Sequence, residues 1–150
     1  MRFHLIDRID SWRPHEHIVA RKVTSVHEDF WRQSPTGAEL PFGLALEALC
    51  QAGTWLIMLS TGHRKRAALL TVREAVAYRP VRPGDVLVME ATVVSRSEEA
   101  AVIDGTVTCD GETVLVAEGI MCALIDAEEL DDPADTARMA TELLAGAVTS

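Results

Sequence analysis

From Leu40 to Ser60 the chain reads LPFGLALEALCQAGTWLIMLS, apolar on nearly every side of a 3.6-residue period. That pattern predicts one long helix which must be covered nearly all round. Pro41 suits its first turn. Gly62 is expected to end it, with His63-Arg64-Lys65-Arg66 behind, where positive charge suits the negative end of the helix dipole. On both sides of the helix the pattern shifts toward a period of two. Leu5 to Trp12 and His17 to Val26 alternate in part around the turn-like Arg13-Pro14-His15-Glu16, as a hairpin or two short strands would. His27 to Glu39 has no period and contains Ser34-Pro35-Thr36-Gly37, which predicts a loop leading into the helix. After the helix, Ala67 to Ala75, Asp85 to Arg96 and Ala100 to Cys109 read as strands, and Asp110-Gly111 forms a hairpin turn into Thr113 to Ile125. Strands, one apolar helix and a meander define an α+β chain whose curled antiparallel sheet wraps the helix.

Length fits one domain, with no internal repeat and no linker, and 150 residues suffice to bury roughly 70% of the surface of the unfolded chain. The net charge of −9 argues against a surface built to neutralise nucleic-acid phosphates or anionic lipid, so neither nucleic acid nor membrane is expected as a partner. The acidity is local. Residues 126–150 hold seven acidic side chains against Arg138 alone, six of the nine net charges, and this tail is expected to form a short helix or stay loose. Cys50, Cys109 and Cys122 match neither a zinc site nor a disulfide framework, which predicts free thiols in a reducing compartment. The opening MRFHLIDRID has charges where an export signal needs an apolar run, and Glu47 and Gln51 interrupt the one segment long enough to span a membrane; a cytoplasmic protein is expected.

Three stretches carry a family resemblance: Leu46-Glu47-Ala48-Leu49-Cys50-Gln51-Ala52-Gly53, Arg79-Pro80-Val81-Arg82-Pro83-Gly84-Asp85, and Leu5-Ile6-Asp7-Arg8-Ile9. With the order of elements, they resemble the 3-hydroxyacyl-acyl-carrier-protein dehydratases of fatty-acid and polyketide synthesis, over roughly residues 3–125. The resemblance implies a hotdog domain over 1–125 with the 126–150 tail outside it, and a dimer paired edge to edge with sites at its interface. The family places a histidine, in Gly-His-Phe-Pro, fourteen residues before an acid on the helix. Glu47 falls on the acid, and Gln33, in Arg32-Gln33-Ser34-Pro35, falls where the histidine would stand. The family's Met-Pro-Gly-Val helix start is here Leu40-Pro41-Phe42-Gly43, which makes Phe42 and Gly43 candidate substrate contacts, together with Trp31 as a lining of an acyl tunnel. No cofactor is implied beyond the phosphopantetheine that carries the substrate. The implied partners are an acyl carrier protein or a coenzyme A thioester, and a second hotdog subunit, identical or related.

Dehydrating a 3-hydroxyacyl thioester requires a base at the carbon beside the carbonyl and an acid at the departing hydroxyl. Gln33 cannot take up a proton near neutral pH. Glu47 and Gln51 lie at i and i+4, where an amide can orient a carboxyl group, although Glu47 is also compatible with a plain ion pair across a dimer interface. His27 is the nearest replacement base, six residues before Gln33 and up to about 20 Å away in an extended chain. His15 and His17 flank Glu16 without a third partner, so a solvated turn is expected there and no metal site. Arg64, Lys65 and Arg66 are either a dock for an acidic carrier or a helix cap. No glycine-rich phosphate loop or Gly-x-Ser-x-Gly motif is present. Three functions remain: a divergent dehydratase, a non-catalytic subunit that pairs with a histidine-bearing homologue, and an acyl thioesterase using Glu47.

Overall fold

The computed structural model describes residues 4–129 and 132–149; Asp131 of the acidic stretch and the first three residues lie outside that description. The elements are β1 (Arg8–Arg13), β2 (His17–Val23), β3 (Arg32–Ser34), β4 (Gly37–Glu39), α1 (Phe42–Ser60), β5 (Lys65–Ala77), β6 (Val86–Arg96), β7 (Ala100–Cys109), β8 (Glu112–Asp126), α2 (Pro133–Leu143) and β9 (Val148–Thr149). Seven strands form one sheet in the order β5-β8-β7-β6-β2-β1-β9, antiparallel throughout except for the short β1·β9 pair. The sheet rolls around α1, giving the hotdog arrangement of a helix inside an antiparallel sheet.

Leu49, Ala52 and Leu56 on α1 are fully buried against Ile103 and Val107 of β7, Leu87 and Met89 of β6, and Leu115 and Ile120 of β8. The helix is long and apolar enough to cross a membrane, but its place is the core of the rolled sheet. Gly105 sets how closely it sits. A Cβ there would lie 2.6 Å from Leu49 Cδ1 and 2.8 Å from the backbone oxygen of Glu90, and the backbone cannot give way. Gly105→Ala is therefore expected to cost about 1–3 kcal/mol, read as a lower urea midpoint with an unchanged slope.

The helix ends in a Schellman motif. Gly62 at φ +60° lets its own N–H reach Leu59 O at 3.4 Å, and the His63 N–H reaches Met58 O at 2.7 Å. Asp110 and Gly111, at φ +50° and +78°, make the tight β7–β8 turn that the Asp-Gly pair predicts.

Three features depart from the pattern-based expectation. Pro41 precedes the helix as its cap residue instead of sitting in the first turn. The stretch expected as a loop holds the β3–β4 hairpin, too short and too polar to show alternation. The segment after β8 begins with a 3₁₀ turn at Ala127–Glu129 and forms α2, the short helix expected of the tail, but departs from expectation in returning a two-residue strand to the main sheet. Asp132 caps α2 by accepting from the Ala134 N–H at 2.9 Å, with Pro133 at the first helical position.

Candidate functional site

Glu47 is half-buried on α1 and opens into a cavity of about 300 Å³. Its Oε1 accepts from Gln51 Nε2 at 3.1 Å, one helical turn on, and Gln51 Oε1 accepts the Leu5 backbone N–H at 2.8 Å. Leu5 is itself 1% exposed, so the extended segment before β1 is pinned against the carboxamide that holds the carboxylate. The residue before it, His4, lines the same cavity, with Thr54, Arg66, Thr136 and Met139. The last two come from α2, so the segment beyond the sheet's long strands supplies a wall of the Glu47 cleft.

A second cavity, of about 350 Å³, lies at the helix start and is lined by Arg32, Leu40, Phe42, Ala77, Tyr78 and Val81. The Arg79-to-Asp85 motif builds its rim. The Arg82 N–H donates to Asp85 Oδ2 at 2.9 Å, and Arg79 pairs with Asp85 at 3.1 Å and with Glu112 at 3.2 Å. The Arg82 guanidinium reaches across to the hairpin, donating to Thr36 Oγ1 at 2.9 Å and to Ala38 O at 3.3 Å. The Leu40 N–H bonds Val81 O at 2.9 Å, which fixes how the chain enters α1. This motif is a clamp on the hairpin that carries Gln33.

Glu47 and Gln51 thus come together, with Arg66 in the same cleft, while the other candidates lie elsewhere. Gln33 is exposed on β3, and Phe42 and Gly43 are exposed at the helix start, where Phe42 lines the second cavity. Ala67 and Ala77, which line the first and second cavities, stand ten residues apart on β5, about 33 Å at strand rise. Trp31 is half-buried, and its Nε1–H donates to Ser25 O at 2.8 Å. The loop before it is folded, with Lys22 Nζ 3.1 Å from Glu28 Oε1 and 5.3 Å over the Phe30 ring, yet His27 stands exposed and does not line the Glu47 cleft.

The basic triplet does not form one patch, because alternate strand residues face opposite ways. Arg66 points into the Glu47 cleft. Arg64 and Lys65 line a different cavity with Ser60, Arg96 and Asp126, and Lys65 Nζ is 2.7 Å from Asp126 Oδ1. Among the described residues no three His, Cys, Asp or Glu side chains are grouped to hold a metal. His4, Thr136 and Met139 went unnoticed in the sequence because none belongs to a motif; only the fold brings them to Glu47.

Burial, and then the nearby Glu47 and Cys122, push the Cys50 thiol up to about 12. Burial also raises Cys109 and Cys122. Unfolding returns all three to ordinary values, so their contribution to stability is present at neutral pH and is lost as pH rises through and above the ordinary thiol range, toward about 12 for Cys50. Native protein at pH 8 is expected to react slowly with a disulfide reagent, and denatured protein to release three equivalents.

The FabA-like domain family matches residues 1–118. The 3-hydroxyacyl-acyl-carrier-protein dehydratase FabZ of Solibacter usitatus is 33% identical over 129 residues, covering 85% of this chain and 79% of that enzyme. Two solved structures share the fold. The dehydratase heterocomplex ApeI:P from Xenorhabdus doucetiae aligns with a TM-score of 0.62 at 14% identity, covering 91% of this chain and 89% of the other. A hypothetical thioesterase with coenzyme A from Streptococcus pneumoniae aligns at 0.60 and 18% identity, covering 79% and 85%.

Proposed function

The chain belongs to the FabA-like family, and from that premise we propose that it dehydrates 3-hydroxyacyl thioesters carried on phosphopantetheine, with Glu47 as the general acid that releases the hydroxyl as water. The single observation that carries this reading is the half-buried chain of contacts Glu47–Gln51–Leu5, which orients one carboxyl group at the mouth of a cavity on a largely apolar helix. Gln51 holds one carboxyl oxygen and leaves the other for the substrate. A carboxyl group set this way delivers a proton to a departing hydroxyl in a fixed direction.

The working site is composite. β5 is an edge strand with Leu69, Leu70 and Val76 exposed, and such an edge is a template for a second strand. Antiparallel pairing of two β5 strands about their middle sets Arg66 and Ala67, beside Glu47, against the Ala77 and Tyr78 end of the partner. The thioester then enters between the Glu47 cleft of one subunit and the Phe42 cavity of the other. The donor is an acyl carrier protein or coenzyme A, in the cytoplasm, within fatty-acid or polyketide synthesis.

Gln33 favours a second reading, in which the partner is a related subunit bearing a histidine at that position and this chain contributes Glu47 alone. Intact mass spectrometry of a carrier protein loaded with a 3-hydroxyacyl chain separates the cases. Loss of one water with this chain alone is the expected result. Water loss only when a histidine-bearing homologue is added selects the second reading, and loss of the whole acyl group rejects both in favour of a thioesterase.

A further inference from the structure

We infer that His4 is a catalytic residue, the general base that works opposite Glu47. This rests on the dehydratase reading above and supplies the proton acceptor that Gln33 cannot be. The sequence places no histidine fourteen residues before the acid, but the fold brings one to it from the other end of the chain. His4 lines the cavity into which Glu47 opens, and its position is set by the neighbouring peptide. The Leu5 N–H is held at 2.8 Å by Gln51 Oε1, while Gln51 Nε2 holds Glu47 Oε1 at 3.1 Å. One carboxamide thus fixes both the carboxyl group and the backbone that presents the imidazole. Among the described side chains lining the cavity, Glu47 and Arg66 are the charged groups facing His4, and α2 adds the uncharged Thr136 and Met139. His4 and His27, the alternative base, are both exposed, but of the two only His4 lines the cavity into which Glu47 opens.

The chemistry balances without a further reactant. His4 takes the proton from the carbon beside the thioester carbonyl, and the C–H electron pair moves onto the thioester oxygen as an enolate; that pair then forms the new C=C bond as the C–O bond at the next carbon breaks. The departing hydroxyl takes the Glu47 proton and leaves as water. Transfer of the proton from the imidazolium back to the Glu47 carboxylate restores both groups. Arg66, in the same cleft, faces the negative charge that builds on the thioester oxygen during the first step.

The test uses the full chain and a 3-hydroxyacyl pantetheine thioester. His4→Ala is expected to lower water loss by about 10²–10⁴ and to be partly restored by added imidazole, which a merely structural role for His4 would not allow. Exchange of the substrate's α-proton with deuterated solvent is expected to vanish in His4→Ala and to persist in Glu47→Gln. Wild-type activity that His4→Ala leaves intact overturns the inference and spares the dehydratase reading. A wild-type chain that is inert alone but active beside a histidine-bearing homologue overturns the inference and selects the second reading, in which this chain contributes Glu47 alone. A chain inert in both settings overturns the two together.

Discussion

Glu47→Gln is expected to lower the rate of water loss from a 3-hydroxyacyl thioester by about 10²–10⁴, or about 3–5 kcal/mol of barrier, with little change in melting temperature. The substitution keeps the shape of the side chain and an oxygen that can still accept from Gln51 Nε2, so the contact at 3.1 Å and the pinning of Leu5 survive. What is lost is the proton that the departing hydroxyl needs. Steady-state rates beside a thermal melt check both halves. Unchanged turnover with a lowered melting temperature would make Glu47 a structural partner instead, the ion-pair role also compatible with its place on the helix.

Charging the β5 edge should have an effect of similar size by a different route. Leu69 and Leu70 are 49% and 62% exposed, on a thirteen-residue strand that has a partner on one side only. A long apolar edge is stable in water only when it is covered, and lysines on an edge strand are a common means of blocking strand addition. Leu69→Lys with Leu70→Lys is expected to lower the mass in light scattering from twice 16.4 kDa to 16.4 kDa. If the site is composite as proposed, turnover should fall at least about 10²-fold, because the cleft would lose the partner wall that positions the thioester. Monomeric wild-type protein with full activity would remove the composite site.

The long elements were legible because each had a strong period. The largely apolar run over Leu40 to Ser60 gave α1 to within two residues at its start, and the Asp110-Gly111 pair marked the β7–β8 turn. The β3–β4 hairpin was not legible: three-residue strands show no period, and what holds them is Arg82, more than forty residues away in sequence. The contact between β9 and β1 was hidden for the same reason, since two residues carry no pattern.

The site divided along similar lines. The Glu47 and Gln51 pair follows from helical spacing alone, and the structure bonds them. The basic run looked uniform in one dimension, but strand alternation sends Arg66 into the cleft and its neighbour Lys65 to Asp126. His4 and Met139 reach Glu47 from opposite ends of the chain, and local spacing does not encode a meeting of that kind.

The central claim is that Glu47 handles the hydroxyl of a 3-hydroxyacyl thioester as water, and reversible exchange tests it most directly. The wild-type chain and Glu47→Gln are each incubated with a 3-hydroxyacyl pantetheine thioester in water labelled with heavy oxygen, and the position of the label is read by fragmentation mass spectrometry. The account predicts label at the 3-hydroxyl with the wild type and almost none with the variant. Label confined to a freed carboxylate, or equal 3-hydroxyl labelling by both proteins, would contradict it.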